Sequence, residues 1–218
     1  MKQRVVSLGG NCMVTKEMRT FFGISAANMF DWWITPGGAL VRLIAGDFAE
    51  LFSRENLAMV GDRKSVANLR YGILHHHDFP RNDEEDRVVE ITEERLQRNR
   101  EKFAYLHRRW DEIGKTRGPV LFVRYGWLMG EPMLEGIPAG GVDAGPAGLM
   151  EALDRKFPKL EYRILLIDAP EVELRHPKVL YRDSRMFMQP GERLNSIDLQ
   201  WKDNAAIFSR IFSTVRMQ

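Results

Sequence analysis

The chain has 218 residues, with 32 Lys and Arg against 30 Asp and Glu and a single cysteine. That length suits one domain over residues 1–218 with a full hydrophobic core, and a net charge of +2 excludes a general electrostatic affinity for nucleic acid or a membrane surface. One cysteine excludes an internal disulfide framework and a cysteine-rich zinc site, and no apolar run suits a signal sequence or a membrane span, so a cytoplasmic protein is expected.

Arg4–Leu8 is a short β-branched run that reads as a buried strand stopping at Gly9-Gly10. Val14, Met18, Phe21 and Phe22 follow at i, i+4, i+7 and i+8, predicting a helix that Gly23 ends and Asn11 caps. The aromatic stretch NMFDWWITPGG, residues 28–38, fits neither the helical nor the strand period and closes in a Pro-Gly turn. Residues 38–53 read as helical with a break near Gly46-Asp47, residues 69–77 as extended, and PRNDEEDR, residues 80–87, as a charged flexible surface loop.

From Glu93 to Ile113, the residues Leu96, Phe103, Leu106, Trp110 and Ile113 mark one face of a long charged helix. Arg95, Arg98, Arg100, Lys102, Arg108 and Arg109 read as its solvated face; no aromatic residues interleave with them, so a nucleic-acid surface is not expected. Val120–Arg124, Arg163–Ile167 and Lys178–Tyr181 read as short buried strands. A Gly/Pro-rich loop, residues 130–148, reads as a flap, followed by a helix from about Pro146 to Phe157. A final amphipathic helix turns Trp201, Ala205, Phe208, Ile211, Phe212 and Val215 inward. Strands alternating with helices predict an α/β fold in three layers, with a central, mostly parallel sheet of about five strands and helices on both faces.

In open α/β sheets, ligands bind beyond the carboxyl ends of the strands. The residues just past the predicted strands are Asn11 and Cys12, His75 to Asp78, Arg124, Asp168 and Asp183. Cys12 at a helix start would feel free backbone N–H groups that favour a thiolate and hold an oxyanion, although a lone cysteine more often acts as a small buried hydrophobe. On an extended segment His75 and His77 share a face; with Asp78 they suit either a base and its orienting carboxylate for Cys12, or a divalent metal. Asp31, between Phe30 and Trp32, needs a buried partner such as Arg124 or a histidine if it is enclosed. Gly9, Gly10 and Asn11 also suit an anion cradle, but the turn matches neither GxGxxG nor GxxxxGK[ST].

The opening SLGGNCMVTKEMRTFFGISAANMFDWW resembles a bacterial family of uncharacterised proteins classed as papain-like cysteine peptidases. The matching positions are Ser7, Leu8, Gly9, Cys12, Phe30, Asp31, Trp32, His77 and Asp78, with Met29 where that family carries proline. The resemblance implies a thiol hydrolase in which Cys12 attacks, a histidine of the cluster acts as base and an acidic residue orients it. It also implies a papain-like α+β layout, the alternative to the parallel sheet that the strand order predicts.

The leading expectation is therefore a cysteine-dependent hydrolase of amide or ester bonds, possessing no cofactor and acting on a substrate that the sequence does not name. Cys12 is the nucleophile, His77 or His75 the general acid/base, and Asp78 or Asp31 the orienting carboxylate. Backbone N–H groups around Asn11 form the oxyanion hole, while Arg124 holds an anionic group and Asp168 completes the ligand contacts. The alternatives are a non-catalytic domain for an anionic ligand such as a nucleotide or sugar, cradled by Gly9, Gly10 and Asn11, and a metal enzyme built on His75 and His77.

Overall fold

The computed structural model describes residues 4–82, 84–127, 145–169, 175–195 and 200–215. Most of the predicted flap, residues 130–144, lies outside the described residues. Four short strands, β1 (Arg4–Ser7), β5 (Val120–Tyr125), β6 (Tyr162–Ile167) and β7 (Val179–Arg182), form a sheet in the order β1-β5-β6-β7, and every pairing is parallel. Parallel strands need long crossovers, which is why they stand so far apart in sequence. The sheet has four strands among the described residues, against about five expected.

Alternate strand residues face opposite sides. Val5, Leu121, Val123, Leu165 and Ile167 pack into one apolar cluster with α1 (Cys12–Phe22) and α5 (Asn204–Ser213). Val6, Phe122, Ile164 and Leu166 belong to the other, with α2 (Gly37–Ala45), α3 (Glu93–Asp111) and α4 (Gly145–Lys156). In α5 the buried residues are Asn204, Ile207, Phe208, Ile211 and Phe212; Ala205, expected inside, is exposed and Ile207 takes that place.

The helix ends follow their sequence signals. Asn11 stands in extended backbone and its Oδ1 accepts from the Met13 N–H at 3.2 Å; Gly23 closes α1 in the left-handed region at φ 65°. Thr92 caps α3 through the Arg95 N–H. The predicted break after the second helix lies at Gly46, beyond which Asp47 and Phe48 take positive φ and residues 46–52 form turns.

A second, antiparallel sheet had no counterpart in the sequence reading. It joins β2 (Leu57–Val60), β3 (Ser65–Asn68) and β4 (Ile73–Leu74) in that order. It meets the parallel sheet through one residue: Ile34 bridges Gly10 in parallel and Leu74 antiparallel. The extended stretch expected over residues 69–77 is thus a turn and a two-residue strand of this smaller sheet.

Candidate functional site

The carboxyl edge of the parallel sheet begins at the turn after β1. A Cβ on Gly10 would lie 2.1 Å from the Tyr125 carbonyl oxygen, and Gly10 has φ 114°, so only glycine lets the turn press against the end of β5. Cys12 opens α1 in a half-buried position. Burial pushes its thiol above the usual value, and the backbone N–H groups of Cys12 and Met13 oppose that shift without cancelling it.

Tyr125, at the end of β5, lies beside Asp168, just past the end of β6, and burial with that carboxylate pushes the phenol's ionisation well up. Asp168 stands in the left-handed region at φ 51°, and its Oδ1 accepts from the Ser184 N–H at 2.6 Å. Asp183 caps the short turn Ser184–Phe187 and is gripped by Arg185, whose Nη2 lies 2.6 Å from Oδ2. Asp168, Asp183, Ser184 and Arg185, with Arg182, surround a cavity of about 380 Å³ past β6 and β7, floored by Leu166, Ala169 and Tyr181. Asp168 and Asp183 were expected at this edge from strand ends alone, and both line the cavity.

The histidine cluster is elsewhere. Because Ile34 pairs with Gly10 in parallel but with Leu74 antiparallel, the chain leaves Leu74 in the direction opposite to that in which it leaves Gly10. His75, His76 and His77 follow this antiparallel strand of the small sheet, whereas Asn11 and Cys12 follow a strand of the parallel one. His77 meets Trp32, with ring centroids 5.7 Å apart, and Trp32 lies under the Arg19 guanidinium. Arg19 is seven residues along α1 from Cys12, about 10 Å of helix rise. No hydrogen bond joins the Cys12 sulfur to a histidine among the described residues.

His75 and His77 do not share a face either: His75 is fully buried and His77 is exposed. His75 Nδ1 lies 3.0 Å from Asp78 Oδ2, which also accepts from Trp33 Nε1 at 2.8 Å, while Lys102 Nζ donates to Oδ1 at 2.8 Å. Burial pushes the Asp78 carboxyl up, but the His75 bond with the His75 and Lys102 charges outweighs it and holds the group well below the usual carboxylate range. The Asp78 carbonyl accepts from Arg95 Nε and Asn99 Nδ2. Arg95 and Lys102, expected on the solvated face of α3, thus tie that helix to Asp78. Aromatic rings of Trp33, Phe52 and Phe79 enclose His75, whose Nε2 has no hydrogen-bond partner among the described residues.

Arg124 is also placed differently. It is fully buried, its Nε donates to the Gly126 carbonyl at 3.0 Å, its Nη1 to Leu8 at 3.1 Å and its Nη2 to Thr35. The guanidinium ties β1, β5 and the 34–37 segment together; it does not line the cavity. Asp31 is enclosed, as the cost of an isolated buried carboxylate requires a partner. That partner is Arg19, at 3.1 Å from Oδ2, together with the Asn28 N–H, and neither Arg124 nor a histidine. Burial raises the Asp31 carboxyl to about 6 against the pull of the Asn28 N–H and Arg19.

The metal reading finds no His75–His77 ligand set. The residues with metal-ligand spacing among those described are Asp47, His107 and Asp111. Lys156 Nζ sits 2.6 Å from a carboxylate oxygen of each aspartate, so an ammonium already holds the cationic place in this ion-pair network. Its members come from three distant segments, and nothing in local spacing announces it. No family model matches the chain, and no curated protein or solved structure matches it.

Proposed function

We propose that this protein binds a small polar ligand at the carboxyl edge of its parallel sheet, in the cavity beyond β6 and β7, within a three-layer α/β frame. The observation that carries the reading is Asp168: a half-buried carboxylate in left-handed backbone, held by the Ser184 N–H at the rim of a cavity of about 380 Å³. That volume falls in the range of small-molecule sites, and the position is the one open α/β sheets use for ligands. The balance of two aspartates and two arginines around the cavity favours a polar, weakly charged occupant. A thermal-shift screen of small polyols, amines and oxyanions at millimolar concentration tests it. Stabilisation by at least one class, lost in Asp168→Asn, is expected; a screen with no stabilising compound overturns the reading.

A second reading, cysteine-dependent hydrolysis of an amide or ester, is favoured by one specific feature. Cys12 opens α1 at the same sheet edge, where the backbone at the helix start pulls its thiol down against burial, an arrangement suited to a thiolate or an oxyanion. Against it stand the upward shift of the thiol and the lack of a hydrogen-bonded histidine base. The rate of Cys12 alkylation by iodoacetamide as a function of pH separates the two. Slow labelling at neutral pH that accelerates only in alkaline solution agrees with the binding reading. Fast labelling at neutral pH, slowed by His75→Ala or His77→Ala, would restore the hydrolase.

A further inference from the structure

We infer that the cavity past β6 and β7 recognises a vicinal diol, the hydroxyl pair of a sugar ring or a ribose, with Asp168 as the acceptor; the inference rests on the ligand-binding reading above and names its ligand class. A carboxylate offers about four lone-pair sites. One of those on Asp168 is taken by the Ser184 N–H, a donor from a separate element that holds the carboxylate at the cavity. The cations at the cavity have other partners: Arg185 grips Asp183 through Nε and Nη2, and Arg182 donates to Thr214 Oγ1 and the Tyr181 carbonyl. No ion pair to Asp168 occurs among the described residues.

Asp168 lines the cavity, and because Arg185 is gripped by Asp183 while its charge already acts on Asp168, a neutral donor suits the remaining Asp168 lone pairs. A hydroxyl pair supplies two parallel O–H donors to one carboxylate. The apolar floor of Leu166, Ala169 and Tyr181 suits the C–H face that such a ring presents beside its hydroxyls. An oxyanion would meet the Asp168 and Asp183 carboxylates. A diamine would find acceptors but also Arg182 and Arg185. Asp168 is not among the residues with metal-ligand spacing.

Saturation-transfer NMR on the intact protein tests the inference with five probes: adenosine, 2′-deoxyadenosine, methyl α-mannoside, 1,4-diaminobutane and inorganic phosphate. The expected result is transfer to adenosine or the mannoside, with at least about a tenfold loss of affinity in Asp168→Asn, the scale of a hydrogen bond to a charged group. Adenosine without the mannoside identifies a ribose; the mannoside without adenosine identifies a sugar ring. Asparagine tolerates the left-handed backbone at position 168 as aspartate does, and its side-chain oxygen still accepts from Ser184, so the variant keeps its fold. Equal binding of adenosine and its deoxy analogue, or binding of diaminobutane or phosphate alone, overturns the diol while leaving the cavity a ligand site. Transfer to none of the five overturns the diol and the ligand-binding reading together only if the thermal-shift screen is also blank; if the screen succeeds, it overturns the diol alone.

Discussion

Nδ1 of His75 lies 3.0 Å from Oδ2 of Asp78, and both side chains are buried where the small antiparallel sheet meets α3. Asp78 is an ionised acceptor, so the Nδ1 proton of His75 points at it and fixes the ring. Trp33 and Lys102 complete the set of donors. The arrangement has the form of a base held by its orienting carboxylate, but the base nitrogen faces an aromatic enclosure. It therefore holds α3, the 33–34 segment and the 75–79 segment together.

Removing one member of this network leaves buried polar groups without partners. Asp78→Ala is expected to destabilise by about 3–5 kcal/mol, the scale for breaking a buried ion pair. Denaturant unfolding monitored by tryptophan fluorescence measures it directly, because Trp33 donates to the carboxylate. A loss below about 1 kcal/mol, the range of an exposed pair, would contradict the role assigned to Asp78.

The two buried aspartates predict opposite limbs in stability against pH. Asp78 has a folded-state pKa below its unfolded value, so its contribution is present above about pH 4 and is lost as acid protonates it. Asp31 is raised to about 6, so its contribution is full below its unfolded value near 4 and falls away as pH rises through about 6. Their sum places the optimum for these two groups near about pH 4, where the acid limb is complete and the falling limb begins. Asp31→Asn removes the falling limb between pH 4 and 6 and leaves the acid limb, which unfolding midpoints at half-unit pH steps would reveal.

Arg124→Lys tests the buried guanidinium. A lysine cannot reproduce a planar fork that reaches the Leu8, Thr35 and Gly126 carbonyls together. A loss of about 3 kcal/mol or more is expected, read from the denaturant midpoint. Unchanged stability with weakened ligand binding would return Arg124 to the ligand-contact role first expected of it.

Gly10→Ala would put a methyl group 2.1 Å from the Tyr125 carbonyl in backbone that disfavours any side chain. The expected cost is about 3 kcal/mol or more, with the turn displaced from β5. Asn11→Ala, next in the chain, loses only the cap on the Met13 N–H, a cost of about 1 kcal/mol. Measured side by side, the pair separates close backbone approach from capping at one turn.

The parallel sheet was legible because its strands are continuous apolar runs such as VLFVR and RILLI, a pattern that burial on both faces imposes. The small sheet was not, because LAMV and SVAN are four residues long and end in hairpin turns without a strong β-branched signal. The candidate site divides in the same way. Asp168 and Asp183 follow their strands and were expected at the edge they occupy. His75 to Asp78 follow a strand of the other, antiparallel sheet, to which the strand-end rule for parallel sheets does not apply.

The amino-acid sequence by itself determined the local structure: the Asn11 cap, the Gly23 stop, the apolar face of α3 and the apolar runs of the parallel strands. These depend on side chains within a few residues of one another, where steric and hydrogen-bonding preferences act directly. Only the tertiary structure decided which polar groups meet. Asp78 with Lys102, Asp31 with Arg19, Arg124 with Thr35 and Asp168 with Ser184 are joined by packing across elements, and the direction in which Ile34 pairs decides which groups share an edge. Buried charge must find a partner, but spacing along the chain does not say which one.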